Sequence, residues 1–368
     1  MQQFFCLTSK HKKHRLIGVQ MSGGPVNQAL LKGGGFAIGP HLVPNRVLLA
    51  PMASITDPPF RAAALRHGAG LVVSEMIASE WLAEGDPSAA LRAERIGAGL
   101  HVVQLAGCEA RWLGEGARIA ETAGADIIDI NMGCPAKHVT SGQAGAALLR
   151  DLDQATRLIE TVIAAVRVPV TLKMRLGWDE RSVVAPDLAR RAQAAGVVMI
   201  SVHGRTRCQF YQGRADWSAI ARVKAAVNIP VVANGDLTSF DDARAMLDAS
   251  RADAVMVGRA ARGRPWFPGQ LARYLETGVR PADPAAAEQR DILLGLYDAW
   301  LAHYGRARGV RETRKHLGWA LEAAARSCER SVEWLKVWRR RLVTEDEPMR
   351  VTQSIRDAFD DLAWRAAA

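Results

Sequence analysis

The sequence predicts an α/β fold: a (β/α)8 TIM barrel over residues 45–280, followed by an all-helical domain over 281–368. Three observations predict it. From about residue 44 to 260, short apolar runs alternate with amphipathic stretches, the pattern of strand–helix units around a parallel sheet. Eight such units in roughly 220 residues match the count and size of a closed eight-fold barrel. Past Arg280 the strand signal stops, and Trp300, Tyr304, Trp319, Trp334 and Trp338 recur among Leu, Arg and Lys.

The apolar runs, in chain order, are Val47–Ala53, Leu71–Ser74, His101–Leu105, Ile127–Asn131, Val170–Lys173, Met199–His203, Val231–Asn234 and Ala254–Val257. Helical patterns lie between most of them: Arg111–Ala123, Leu152–Val166, Ala185–Ala195, Trp217–Val227 and Phe240–Ala249. Gly124, Gly196 and Asn228 suit helix stops, and Asp216 and Asp241 suit helix starts. A doubly wound sheet is the competing architecture. It is disfavoured because no Gly-x-Gly-x-x-Gly opens a helix after the first strand. Pro281, Pro284 and an alanine run read as a linker, and three to five helices with a basic face are expected beyond it.

About half of the 368 residues are apolar, and no apolar run approaches membrane-spanning length, so a soluble, cytoplasmic protein without membrane contact is expected. Cys6, Cys108, Cys134, Cys208 and Cys328 are scattered with no C-x-x-C pair, which argues against a metal site, an iron–sulfur cluster or a disulfide framework. The net charge of +10 suggests a polyanionic partner such as nucleic acid. It is concentrated. Residues 1–46 carry six Lys or Arg and no acid, and residues 304–341 carry eleven against four Glu. Residues 1–44 are expected to be a disordered basic extension; the Lys10–Arg15 cluster has no apolar stretch after it and is no secretory signal, and Met21 is a plausible start.

In a barrel, functional side chains gather at the C-terminal ends of the strands. Those ends are unusually polar here. They carry Pro51-Met52-Ala53, Gln104, Asp129 with Asn131, Lys173 with Arg175, His203, Asn234-Gly235-Asp236 and Gly258-Arg259. Lys173 and Arg175, two residues apart, share one face of their strand. Lys173 aimed into the barrel mouth is costly unless an anion or electron-rich ring meets it. Glycines after the last two strands let backbone N–H groups approach a phosphate. A phosphorylated cofactor satisfies both. The run Asp129-Ile-Asn131-Met-Gly133-Cys134-Pro135 ends a buried strand in a tight turn, which presents the Cys134 thiol to a pocket with Asn131 beside it. On its own such a cysteine is as often simple packing; the joint pattern of strand ends favours chemistry.

Taken together, these strings resemble the tRNA-dihydrouridine synthase family, most closely its bacterial B-type branch. The matching text is Ala50-Pro-Met-Ala-Ser-Ile-Thr-Asp-Pro-Pro-Phe-Arg61, Ser74-Glu-Met76, Gln104-Leu-Ala-Gly107, Asp129 to Lys137 and Leu172-Lys-Met-Arg175, then His203-Gly-Arg-Thr206, Asn234-Gly-Asp236 and Gly258 to Trp266. Arg314-Lys315-His316 and Trp319 resemble that branch's helical domain. The resemblance implies FMN in the barrel mouth, NADPH as reductant and tRNA as partner, with a monomeric enzyme expected. By position it implies that Pro51, Met52 and Ala53 border the flavin and that Gln104 and Lys173 bond its ring. His203, Asn234, Gly235, Asp236, Gly258 and Arg259 would hold its phosphate arm. Asn131 would read the target uracil, Arg175 would lie nearby, and Cys134 would be the general acid. The implied reaction adds a hydride to C6 of a D-loop uridine and a proton to C5. An ordinary thiol, titrating at about 8.5, is protonated at neutral pH and can give that proton.

Two departures stand out. Ser54 occupies a position where the family usually has Gly, and His138 replaces a second Lys after the cysteine loop. Two other functions fit parts of the chain. One is an FMN-dependent reductase of a free pyrimidine, similar to dihydroorotate dehydrogenase, which would not need the basic Trp-rich tail. The other is a non-catalytic tRNA-binding protein with a vestigial barrel.

Overall fold

A computed structural model describes residues 34–366 except 96 and 98. Its centre is a barrel of parallel strands: β3 (Val47–Leu49), β4 (Leu71–Val72), β5 (Ile77–Ala78), β6 (Val102–Ala106), β7 (Ile127–Met132), β8 (Val170–Arg175), β9 (Met199–His203), β10 (Val231–Asn234) and β11 (Ala254–Val257). They pair in the order β4-β3-β11-β10-β9-β8-β7-β6-β5. The parallel bridge Val73–Val102 closes the ring. β4 and β5 are one barrel strand split at Ser74-Glu75-Met76, since the first half meets β6 through that bridge and the second pairs Ile77 with Leu105. The eight strand positions are those predicted.

Parallel strands covered on both faces read as continuous apolar runs, and that is how these segments bury almost every residue. Inside the ring, Leu48, Leu71, Val102, Ile127, Met199, Val232, Ala254 and Met256 fill the lower barrel. Outside, Leu113, Leu158, Leu188, Ile220 and Met246 from the surrounding helices pack on the outward faces of the strands. The helices Ala110–Thr122, Leu152–Ala165, Ala185–Ala195, Trp217–Ala226 and Phe240–Ser250 fall within a residue or so of the predicted spans. Gly196 stops its helix at φ 114°, and Asp216 caps the next by accepting from the Ala219 amide at 2.8 Å. Asp241 does not start its helix. Ser239 is the cap, in a reciprocal box with Asp242, because a hydroxyl three residues before an acid satisfies two free amides at once.

The expected disordered extension does not hold for its last stretch. Residues Phe36–Ile38 (β1) and His41–Val43 (β2) form an antiparallel hairpin. Phe36, Ile38 and Val43 are buried among the inward residues of the lower barrel, so the hairpin caps the N-terminal end of the ring. Apolar burial there outweighs the weak strand signal of two three-residue segments. The rest of the extension, residues 1–33, lies outside the described residues.

From Ala286 the described residues are helical: Ala286–Tyr304, Arg306–Ser327, Val332–Thr344 and Pro348–Ala366. They share a core of their own around Tyr297, Leu321, Leu342, Ile355 and Phe359. Trp300 belongs instead to the barrel's core. The helix Val332–Thr344 buries only Leu342 and exposes Lys336, Arg339, Arg340 and Arg341. Among the described residues, no helix is long and apolar enough to cross a membrane.

Candidate active site

The register of the barrel assembles the site. Gln104, Asp129 and Thr171 lie side by side across β6, β7 and β8. One tier higher Asn131 lies beside Lys173, and higher again Arg175, His203 and Asn234 are neighbours. Because side chains alternate along a strand, all of these point into the ring. The lower barrel is hydrocarbon and the upper barrel is polar.

A cleft of about 600 Å³ opens above these tiers. Cys134, Asn131 and Arg175 line it, as do Pro51, Met52, Ala53, Gln104, Lys173, His203, Asn234, Gly235, Asp236, Gly258 and Arg259. Of the strand-end residues singled out from the sequence, all but Asp129, which lies beneath, face this one space. Its volume is that of an ordinary ligand pocket.

Hydrogen bonds fix the floor. Asp129, 2% exposed, accepts from Gln104 Nε2 at 2.6 Å and Thr171 Oγ1 at 2.6 Å. Burial nevertheless raises its pKa, with those bonds acting the other way. Gln104 Oε1 accepts from Asn131 Nδ2 at 2.8 Å. Asn131 Oδ1 in turn accepts from the amides of Gly133 at 3.1 Å and Cys134 at 3.0 Å. Asn131 is thus both a cap for the cysteine turn and a donor with one amide hydrogen left to offer.

The turn is clamped on its other side as well. Arg175, 1% exposed, donates from Nε to Gly133 O at 2.9 Å. Its NH1 donates to Thr206 O and Phe210 O at 2.8 Å. The Ala146 amide donates to Cys134 O at 3.0 Å. Cys134 itself is half-buried and free.

The electrostatics are lopsided. Lys173 donates to Asn234 Oδ1 at 3.3 Å, a long bond to a neutral partner. Burial, with Arg175 nearby, pulls its pKa down to about 8. Burial and the cations Arg175, Lys173, Arg205 and Arg259 hold His203 neutral, well below its usual range. Asp236 is the anion among them, and it is already engaged. Arg205, 2% exposed, donates to it from NH1 at 2.9 Å and NH2 at 2.6 Å, and the Ala215 amide donates at 2.8 Å. Arg259 stands 3.6 Å away on the open side.

The residues fit a phosphorylated flavin on two structural grounds. A half-buried ammonium that no carboxylate pairs directly among the described residues suits an electron-rich ring. The Asn234–Asp236 turn also needs its glycine. Gly235 has φ 120°, and a Cβ there would lie 2.8 Å from Ala215 Cβ and 3.0 Å from His203 Cδ2. At Gly258 a Cβ would stand in open space, with Met52 Sδ at 3.9 Å. Gly235 is needed for the turn's own packing, and Gly258 leaves room for a ligand to approach the backbone.

Some participants are invisible in the sequence. Arg205 is one residue of the His203-Gly-Arg-Thr206 run in the sequence, yet it is the buried anchor of Asp236. Tyr211, 53% exposed, stands over the cleft with Arg259 at 4.8 Å and Arg175 at 5.5 Å from its ring centroid. It sits in a loop, where no periodicity betrays direction. Ser54 explains its own oddity. It has φ 58°, a conformation glycine adopts freely, and its amide donates to the Glu75 carboxylate, which holds the strained turn.

Comparison with known proteins agrees with this geometry. The family model described as dihydrouridine synthase (Dus) matches residues 48–360. A Rhodobacter capsulatus protein, "Probable tRNA-dihydrouridine synthase", is 57% identical over 281 residues, covering 76% of this chain and 87% of its own. The Rhizobium leguminosarum bv. phaseoli protein of the same name is 53% identical over 283 residues, covering 77% and 87%. The tRNA-dihydrouridine synthase B of Xanthomonas campestris pv. campestris is 49% identical over 283 residues, covering 77% and 85%. Among solved structures, a 2-naphthoyl-CoA reductase complex aligns with TM-score 0.52 at 14% identity, covering 64% of this chain and 51% of that one. Histamine dehydrogenase from Rhizobium sp. 4-9 aligns with TM-score 0.51 at 15% identity, covering 76% and 51%; these two likenesses speak for the fold. The chain therefore belongs to the dihydrouridine synthase family and is a flavin-dependent oxidoreductase.

Proposed function

We propose that this protein reduces a D-loop uridine of tRNA to 5,6-dihydrouridine, using FMN in the barrel mouth and NADPH as reductant, as a monomer in the cytoplasm. The observation that carries the reading is the cationic cleft formed by Lys173, Arg175 and Arg259, with neutral His203 among them, above a hydrogen-bonded polar floor. A phosphorylated, electron-rich cofactor supplies the missing negative charge.

FMN, when bound, would supply hydride chemistry at C6 of the uracil, with NADPH as the source of electrons. The chain's residues do the rest. Lys173, which lines the cleft, would hold the ring and favour negative charge on it. Gln104, fixed by Asp129 and Asn131, presents its remaining amide hydrogen and lone pair to the same ring. The Asn234–Asp236 turn, Gly258 and Arg259 take the phosphate arm, with Arg205 holding Asp236 in place. Asn131 offers its free amide hydrogen to a uracil carbonyl. Cys134 Sγ holds the proton that C5 receives. Arg175 acts on that step by holding Gly133 O, and with it the Cys134 turn.

The helices Ala286–Tyr304 to Pro348–Ala366 form the tRNA-binding part, and the exposed cations of Val332–Thr344 meet backbone phosphates. The target base must leave the tRNA fold to reach the cleft. The test is anaerobic. NADPH should bleach the holoenzyme, and unmodified tRNA should restore the flavin colour while free uracil and orotate do not. Recovery of colour with a free pyrimidine but not with tRNA would overturn the reading.

A further inference from the structure

The barrel mouth holds a second cleft of about 370 Å³ beside the first. The two share Ala53 and Met76, so they are compartments of one mouth. The short helix Ser79–Ala83 walls the second cleft on one side and residues 138–144 of the cysteine loop on the other. Its surface is aromatic: Trp81 and Trp112 both line it. Trp81 is 53% exposed, a large indole left in water on a molecule whose other apolar groups of that size are mostly covered.

The two compartments differ in charge. The first is cationic. The second is flanked by Glu80 and Glu109, which lie close enough to Cys108 to add to the rise that burial gives its thiol pKa. Glu75 lines it too, with Arg92 as the cation among them. Such a pocket repels phosphate and accepts a flat, uncharged ring whose hydroxyl or amino groups can donate to carboxylates. An aromatic face offered to an unstacked base is the usual device for binding single-stranded nucleic acid without reading its sequence.

We propose that this cleft receives a second unpaired base of the RNA, the neighbour of the one being reduced, stacked on Trp81 with its ribose toward Glu80 and Glu109. The inference rests on the tRNA reading given above. Continuity through Ala53 and Met76 is what selects this occupant: consecutive nucleotides of one strand can enter two adjoining compartments, one base in each. The charge distribution agrees, because the uncharged base and ribose meet the acidic compartment while the phosphates stay outside it. Ser54 and Glu75, which line the cleft and hold each other, set its inner wall.

The experiment uses holoenzyme and unmodified tRNA whose reduced uridine has been mapped. Trp81→Ala should weaken tRNA binding by about five-fold or more, the value of one lost stacking contact of at least about 1 kcal/mol, and Trp81→Phe should recover most of it. On tRNA made abasic at one of the two positions flanking the target, wild type and Trp81→Ala should bind alike, because the partner base is gone. NADPH-driven bleaching of the flavin without RNA is the second readout. Equal tRNA affinity of wild type and Trp81→Ala would overturn the inference. So would a loss that persists on both abasic tRNAs, or slowed bleaching with tRNA affinity intact, which would assign the cleft to the reductant's ring. If wild type reduced no uridine in any tRNA, it is the underlying function that would fall, and mapping the product first separates the two failures.

Discussion

The Asp57 carboxylate accepts a hydrogen bond from the indole Nε1 of Trp300 at 2.9 Å, although 243 positions separate the two residues. The same carboxylate accepts from Tyr304 Oη at 3.0 Å and caps the helix Pro58–Arg66 through the Phe60 amide at 3.1 Å. One buried side chain thus ties the loop that follows the first barrel strand, which carries Met52 and Ala53 to the cleft, to the first helix of the C-terminal region. Burial raises the pKa of Asp57 even against these three donors.

Trp300→Phe keeps an aromatic ring but removes the donor and part of the buried indole. It should lower stability by about 1.5–3 kcal/mol, and it should raise the KM for tRNA while bound flavin is retained. Thermal melts of the holoenzyme and steady-state kinetics check both. Asp57→Ala should cost more, since it strands the donors of Trp300 and Tyr304 in the interior at about 1–3 kcal/mol each. Unchanged melting and unchanged KM in both variants would break the link between loop and helix.

Lys173 makes flavin binding pH-dependent with a definite sign. In the folded protein its ammonium loses a proton at about 8, below its ordinary 10.5. A bound anion favours the charged form. FMN binding should therefore be level below pH 7 and weaken as pH rises through 8, by up to about tenfold per unit, with proton uptake on binding. Lys173→Met should bind more weakly at pH 7 and show a flat profile between 7 and 9. The same lowered pKa means that the folded state holds fewer protons than the unfolded chain between 8 and 10.5, so this group's destabilising effect on the free protein fades as pH rises through that window. Flavin-fluorescence titrations across pH read the binding; a flat wild-type profile would contradict the assignment.

Gly235→Ala places a methyl against Ala215 and His203 at a backbone angle of φ 120°. The strain is about 1–3 kcal/mol, and it falls on the turn assigned to the phosphate. The variant should fold, with the visible flavin spectrum reduced or lost on purification. Arg205→Lys should show the same loss, because a single ammonium cannot make the two-pronged bond that holds Asp236.

Cys134→Ala removes the proposed proton donor and nothing that supports the turn, whose amide and carbonyl bonds belong to the backbone. Flavin content and tRNA affinity should stay, and turnover should fall by about 10²- to 10⁴-fold. Single-turnover assays with pre-reduced enzyme isolate that step. A wild-type rate would remove Cys134 from the chemistry.

The barrel was legible because burial on both faces leaves its strands almost purely apolar, and because function breaks that rule at one end of each strand. Gln104, Asn131, Lys173 and His203 announce themselves as polar residues ending apolar runs. What the sequence hides depends on distance or on loops. Nothing near Asp57 points to Trp300. Arg205 gives no sign of reaching Asp236 across the loop, and Tyr211 has no neighbours whose spacing would orient it. The hairpin Phe36–Val43 escaped because two three-residue strands carry too little periodicity to separate from an extension, and the break at Ser74-Glu75-Met76 because a strand is read as one run until its register is known.

Mapping dihydrouridine at single-nucleotide resolution, after incubating FMN-loaded protein with NADPH and unmodified tRNA, tests the central claim most directly. The account predicts product at a D-loop uridine, absent without NADPH and absent with Cys134→Ala on the same time scale. A yellow, NADPH-reducible protein that leaves every uridine of the tRNA unreduced would contradict it.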